Sequence, residues 1–219
     1  MPIELYSDPA TFLDLLEPTT AGRLTVLLTA QPGPIAHRIA DSEAAVANAP
    51  GSDEWLIVIE LGDDRLSRLN FDIVERLILD LPSEFLLSSP GRRLTDALGR
   101  LAEEALTMTF VGDATGATGA FLMDGLTAGL ALVPGTVVVP SVQAVPDLRA
   151  LLATLSANRT RLLALDERVA ARYIHQIDQV EVSGEGSVLL AAFHQPDRNA
   201  SPVARVQLLQ SGSAQSWSL

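Results

Sequence analysis

The chain contains no cysteine and no lysine, and only 5% of its 219 residues are aromatic. Without cysteine there is no disulfide, no thiolate nucleophile and no cysteine-bound metal. Without lysine there is no Schiff-base amine for pyridoxal phosphate and no Walker-type lysine for a nucleotide phosphate. All 15 basic residues are arginine. Charge is sparse, at 19% against 47% hydrophobic residues, and the mean hydropathy is +0.26, the opposite of a disordered chain. At this length such a composition fills one sizeable core and predicts a single domain over residues 1–219. The 27 acidic residues give a net charge of −12, which repels phosphate backbones and anionic membrane surfaces, so neither nucleic acid nor a membrane is an expected partner. Glu4 and Asp8 stand where a signal peptide has a basic start and an apolar run, and the expected location is cytoplasmic. The one long apolar stretch, Phe121 to Val139, is interrupted by Asp124, three glycines and Pro134 and reads as buried core.

What is present is an alternation of short β-branched runs with amphipathic stretches, the pattern of βα units around a largely parallel sheet. Strands are predicted at Leu24 to Thr29, Trp55 to Leu61, Glu84 to Leu87, Met108 to Gly112 and Thr136 to Val139. Helices are predicted at Pro34 to Ala49, at Asn70 to Leu79 and along two leucine stripes, Leu94-Leu98-Leu101-Leu106 and Leu148-Leu151-Leu152-Leu155. After about residue 160 the strands come closely spaced: Leu162 to Leu165, Val169 to Tyr173, Gln179 to Val182, Val188 to Phe193 and Val203 to Leu209. Turn residues such as Ser183-Gly184-Glu185-Gly186 separate them and predict antiparallel strands appended to the main sheet.

The segment Phe110-Val111-Gly112-Asp113-Ala114-Thr115-Gly116-Ala117 has the outline of a nucleophile elbow. In such a turn small residues let a strand reverse into a helix, and the central side chain is lifted toward substrate beside backbone N–H groups. A Gly-rich strand-to-helix turn is more commonly only a turn. Other segments follow in order: Gly22-Arg23-Leu24-Thr25-Val26-Leu27-Leu28-Thr29-Ala30, Gly129-Leu130-Ala131-Leu132-Val133-Pro134-Gly135, Leu163-Ala164-Leu165-Asp166-Glu167, Val180 to Val188, and Arg205 to Gly212. Together these resemble, over nearly the whole chain, the cyanophycinase branch of the serine peptidases of family S51. That resemblance implies the flavodoxin-like, class I glutamine-amidotransferase-like α/β fold. In active members it implies a Ser-His-Glu or Ser-His-Asp arrangement that hydrolyses peptide or isopeptide bonds, often in Asp-containing substrates, and commonly a homodimer.

Carried over residue by residue, the resemblance implies a degenerate site. The family's Gly-Thr-Ser-Ala-Gly-Ala falls on Gly112 to Ala117 and puts Ala114 at the nucleophile. Its Asp-Gln-His falls on Val139-Pro140-Ser141 and puts Ser141 at the base. Glu167 alone keeps its place, and the oxyanion loop is shortened near Ser88-Ser89-Pro90. Thr115 and Ser141 are the substitute hydroxyls, with Asp113 beside the turn, yet nucleophilic catalysis needs a positioned base. His37, His175 and His194 form no metal signature. Arg92-Arg93 and the group Arg159, Arg161, Arg168 and Arg172 read as solvated or ion-paired rather than as an anion site. No cofactor and no metal are expected. Three readings stay open: a pseudoenzyme binding a small molecule, peptide or protein, a hydrolase with relocated residues, and a structural partner of an active paralogue.

Overall fold

The computed structural model describes residues 2–15, 24–29, 56–61, 68, 70–101, 106–158, 160–194 and 203–216. The expected helix Pro34 to Ala49, Trp55 and His37 lie outside them. Thirteen strands are described: β1 (Pro2–Tyr6), β2 (Leu24–Thr29), β3 (Leu56–Glu60), β4 (Val74–Asp80), β5 (Thr107–Val111), β6 (Gly119–Phe121), β7 (Val133–Val139), β8 (Arg161–Leu165), β9 (Val169–Ile174), β10 (Gln179–Gly184), β11 (Ser187–His194), β12 (Val203–Gln210) and β13 (Ala214–Ser216). They form an eight-stranded sheet, β13-β10-β9-β1-β5-β4-β2-β3, and a five-stranded sheet, β12-β11-β8-β7-β6. In the first, β1, β5, β4, β2 and β3 run parallel and β9, β10 and β13 extend it antiparallel. In the second, β6, β7 and β8 run parallel, with β11 and β12 antiparallel. The fold is α/β, a largely parallel sheet flanked by helices with antiparallel strands toward the C-terminus. The second sheet was not foreseen.

Apolar faces explain the arrangement. Ile3, Leu5, Met108 and Phe110 of the first sheet, Val138, Leu163, Val188 and Leu190 of the second, and the helix residues Leu86 and Leu98 share one buried cluster. On the first sheet's other face, helix Pro9–Leu15 sets Phe12 against Tyr6, Leu27, Ile78 and Val111, the Tyr6 and Phe12 rings meeting edge to face at 5.2 Å. Helix Leu148–Asn158 presses Leu151 and Leu155 on Val137, Val139, Leu162 and Ala164. Arg161 joins the two sheets: its guanidinium donates to Asp178 at 2.8 Å and to Pro134 O at 2.7 Å, while the Tyr173 hydroxyl donates to Asp178 at 2.9 Å.

Two segments depart from expectation. Asn70 to Leu79, read as a helix, is a 3-10 turn (Phe71–Ile73) followed by β4. Leu77-Ile78-Leu79 is a continuous apolar run, all three residues buried between β2 and β5, the signature of a parallel strand covered on both faces; over so short a window it also fits helical spacing. Glu84 to Leu87, read as a strand, belongs to helix Ser83–Leu87. There the Asp113 carboxylate accepts the Ser83 N–H at 2.8 Å, holding the first turn. The next helix, Ser89–Leu101, follows after one residue, and a Cβ on Gly91 would stand 2.0 Å from Phe85 O, so only glycine permits that crossing. Its leucine stripe ends before Leu106, which precedes β5.

Candidate functional site

Parallel strands aim their C-terminal ends at one edge, where α/β folds place ligands. β5 ends at Val111 and the chain passes at once into the four-residue helix Asp113–Gly116. The turn rests on Gly112, at φ 58° and ψ −122°, a backbone state that side chains tolerate only under strain. A Cβ there would meet nothing nearer than the Pro9 ring at 3.8 Å. Conformation, not crowding, therefore selects glycine.

This corrects the register expected from sequence. The tip of the turn is Gly112, two residues before Ala114. Ala114 lies inside the helix, 1% exposed, in the main core cluster. The reason is local: the strand runs as far as Val111, so the reversal falls on the next residue. Neither position supplies a nucleophile. Thr115 is fully buried, its hydroxyl 3.0 Å from Tyr6 O and 2.9 Å from Phe110 O, with its one proton committed to those carbonyls. It is a packing hydroxyl rather than a relocated nucleophile. Asp113 is occupied at Ser83, and a Cβ on Gly116 would stand 3.5 Å from the Pro140 ring, so the turn abuts the end of β7.

Ser141 follows that end and precedes the 3-10 turn Val142–Ala144. Glu167 sits exposed in the turn from β8 to β9, its N–H donating to Asp166 at 2.9 Å. Strand register Val139↔Ala164 puts the ends carrying Ser141 and Glu167 side by side. Ser88, Ser89 and Pro90 enter a helix instead of forming an oxyanion loop; the Ser88 hydroxyl accepts the Gly91 N–H at 3.2 Å. The histidines do not converge here. β9 runs antiparallel to β1, with Ile174 opposite Pro2, so His175 lies at the far edge of the first sheet, where its ring meets Tyr173. His194 ends β11, beyond the start of β8, at the far edge of the second. With about 3.3 Å of rise per strand residue, a five-residue strand separates each from the turn by roughly 15 Å.

Two carboxylates at this edge escaped the sequence reading. Asp8 caps helix Pro9–Leu15, accepting the Thr11 N–H at 2.8 Å and its hydroxyl at 2.6 Å. Burial pushes its pKa up, but the bonds from Thr11, Ser7 and Ala10 outweigh that and leave it below the ordinary value. Asp80 ends β4, and burial raises its pKa. The Asp-Pro-Ala-Thr spacing at Asp8 was a legible cap signal; nothing local marked Asp80. An open cleft of about 710 Å³ lies between helix Pro9–Leu15 and the turns β8–β9 and β10–β11, lined by Asp8, Asp14, Glu167, Glu185 and Arg168 among others. Among the described residues no group of His, Asp and Glu is placed to hold a metal ion, and no helix is long and apolar enough to cross a membrane. Of the arginines singled out in the sequence, Arg92 donates to Leu87 O, Gly129 O and Ala128 O, Arg161, Arg168 and Arg172 pair with Asp178, Glu185 and Glu181, and Arg159 lies outside the described residues.

The sequence matches no protein-family model and no curated protein. Among solved structures it is similar to the crystal structure of a peptidase from an acI-B1 Actinobacterium, with 12% identity over 99% of this chain and 96% of that chain and a TM-score of 0.60. The chain thus has the α/β fold of a peptidase.

Proposed function

We propose that this chain is a non-catalytic relative of the cyanophycinase-like serine peptidases and acts as a binding module at the former catalytic edge. One observation carries the reading: the strand-to-helix turn that would lift a nucleophile holds Gly112, which has no side chain. Its surroundings agree with that. Thr115 is committed to two backbone carbonyls, Ala114 faces the core, and both described histidines lie at the opposite edges of the sheets. A serine attacking a carbonyl needs a base within about 3 Å, and losing base and nucleophile together removes the covalent route. The cleft beside Asp8 and Glu167 is the place for a bound small molecule or peptide.

A fluorophosphonate probe tests the reading. No labelling is expected, nor cleavage of cyanophycin or Asp-X dipeptides at concentrations where an active cyanophycinase turns over. Stoichiometric labelling mapped to one residue overturns it. A thermal-shift screen then finds ligands, because anything that binds only the folded state raises the apparent stability.

A further inference from the structure

Three neighbouring strands of the first sheet lay six side chains on one face in two rows. Strand register places Tyr6 of β1, Ala170 of β9 and Ser183 of β10 side by side, with Glu4, Arg172 and Glu181 side by side in the next row. Tyr6 and Ala170 belong to the cluster under helix Pro9–Leu15, so this is the face that carries the helix. A methyl between a tyrosine and a serine leaves a hole in the first row. A cavity of about 270 Å³ opens there, lined by these six residues among others. It shares no lining residue with the larger cleft. The second row alternates in sign. Glu4 is committed, accepting the Thr109 hydroxyl at 2.9 Å and pairing with Arg76 at 3.5 Å. Arg172 approaches Glu181 only to 3.6 Å, longer than a hydrogen bond, and the two side chains are 47% and 39% exposed.

We propose that this cavity binds a free α-amino acid with a small apolar side chain, its carboxylate on the Arg172 guanidinium and its ammonium on the Glu181 carboxylate. A guanidinium presents a planar fork of donors that matches a carboxylate, and a carboxylate accepts the protons of an ammonium. The ligand turns the loose Arg172 and Glu181 pair into a ring of four alternating charges. Three features select this ligand class. Arg172 and Glu181 face each other across adjacent strands, so the two charges they attract must lie side by side, as they do around the single α-carbon of an amino acid. The termini of a dipeptide stand too far apart. The net charge of −12 opposes a free anion, whereas a zwitterion carries no net charge. The floor is the Ala170 methyl with Tyr6 beside it, 5% and 7% exposed. With Glu4 already paired to Arg76, that floor suits an apolar side chain better than a charged one.

Isothermal titration of the full chain with L-valine tests this, beside isovalerate, which lacks the ammonium, isobutylamine, which lacks the carboxylate, and valyl-valine, which separates the two charges. Saturable binding of L-valine at one site is expected, with the other three weaker by about tenfold or more. Arg172→Ala and Glu181→Gln change partly exposed side chains and should leave the chain folded, checked by circular dichroism, yet each should weaken L-valine by about tenfold or more. Ala170→Leu fills the hole without touching a charge and should abolish binding. Should Ala170→Leu fail to fold, the two charge variants decide. No binding of L-valine, binding of any of the other three compounds as tight as that of L-valine, or an affinity unchanged in Arg172→Ala overturns the inference. None of these outcomes depends on whether the chain is catalytic or on what the larger cleft holds.

Discussion

Gly112→Ala isolates the backbone at the turn from everything else in the site. The added methyl meets nothing closer than 3.8 Å, so packing contributes nothing adverse. What remains is an L-residue forced to φ 58° and ψ −122°, which costs about 1–3 kcal/mol. For a chain of this length each kcal/mol moves Tm by about 2–4 °C, so the expected fall is roughly 2–12 °C. Gly116→Ala is the internal control: the site lies in the helix, its φ is not positive, and the new Cβ has ordinary contact with Pro140 at 3.5 Å. Reduced freedom of the unfolded chain then stabilises by about 0.4–1 kcal/mol. Urea denaturation read by circular dichroism gives both values on one scale. Equal effects at the two glycines, or an alanine at residue 112 that stabilises, would refute the claim that the turn rests on Gly112. Either result would also return the elbow to another residue and reopen the search for its nucleophile.

Ala114→Ser, the change that a letter-by-letter family match recommends as a repair, should create no hydrolysis and should destabilise by about 1–3 kcal/mol, because the hydroxyl enters a core without a partner; activity assays and denaturation check it together. Asp80→Asn should stabilise at neutral pH. A carboxyl whose folded pKa is raised contributes stability below its unfolded pKa and loses it as the pH rises through the folded one, so the gain should vanish toward acid. Asp8→Asn has the opposite sign: a depressed folded pKa contributes stability above the unfolded value and loses it as the pH falls, so the variant should be weaker at neutral pH and converge with the parent in acid. Tyr173→Phe removes the hydroxyl donated to Asp178 and should cost about 1.5–3 kcal/mol. In the parent, burial and then Asp178 raise the Tyr173 pKa to about 12, so ultraviolet titration should show one phenol ionising late and its signal lost in the variant.

The strands that were legible are those whose boundaries are set by turns. Glu185 and Gly186 separate β10 from β11, with Ser183 and Gly184 of the expected turn still paired in β10, and the turn residues between the closely spaced strands after residue 160 fixed five of them to within two residues. Val74 to Leu79 was not legible, because burial on both faces erases the alternation that distinguishes a strand. Nor could the sequence divide those strands between two sheets, which depends on contacts between distant segments. At the site, matching letters aligned Gly112 and Gly116 with the two glycines of the family motif, while the backbone places the reversal directly after β5. The end of the Thr107 to Val111 run was the usable signal, since a residue that immediately follows a strand is the one free to reverse.

Arg161 has a consequence for how the protein comes apart. Its guanidinium reaches the β7 strand through Pro134 and, through Asp178, the connection between β9 and β10. The two sheets therefore share a rivet at the edge opposite the cleft, besides their common core. Opening one sheet there strands a charged group of the other, so amide exchange in β8 and β9 should proceed as one cooperative event. The cleft lies at the other edge, and motion on ligand binding would start from that side, with the riveted edge as its fulcrum.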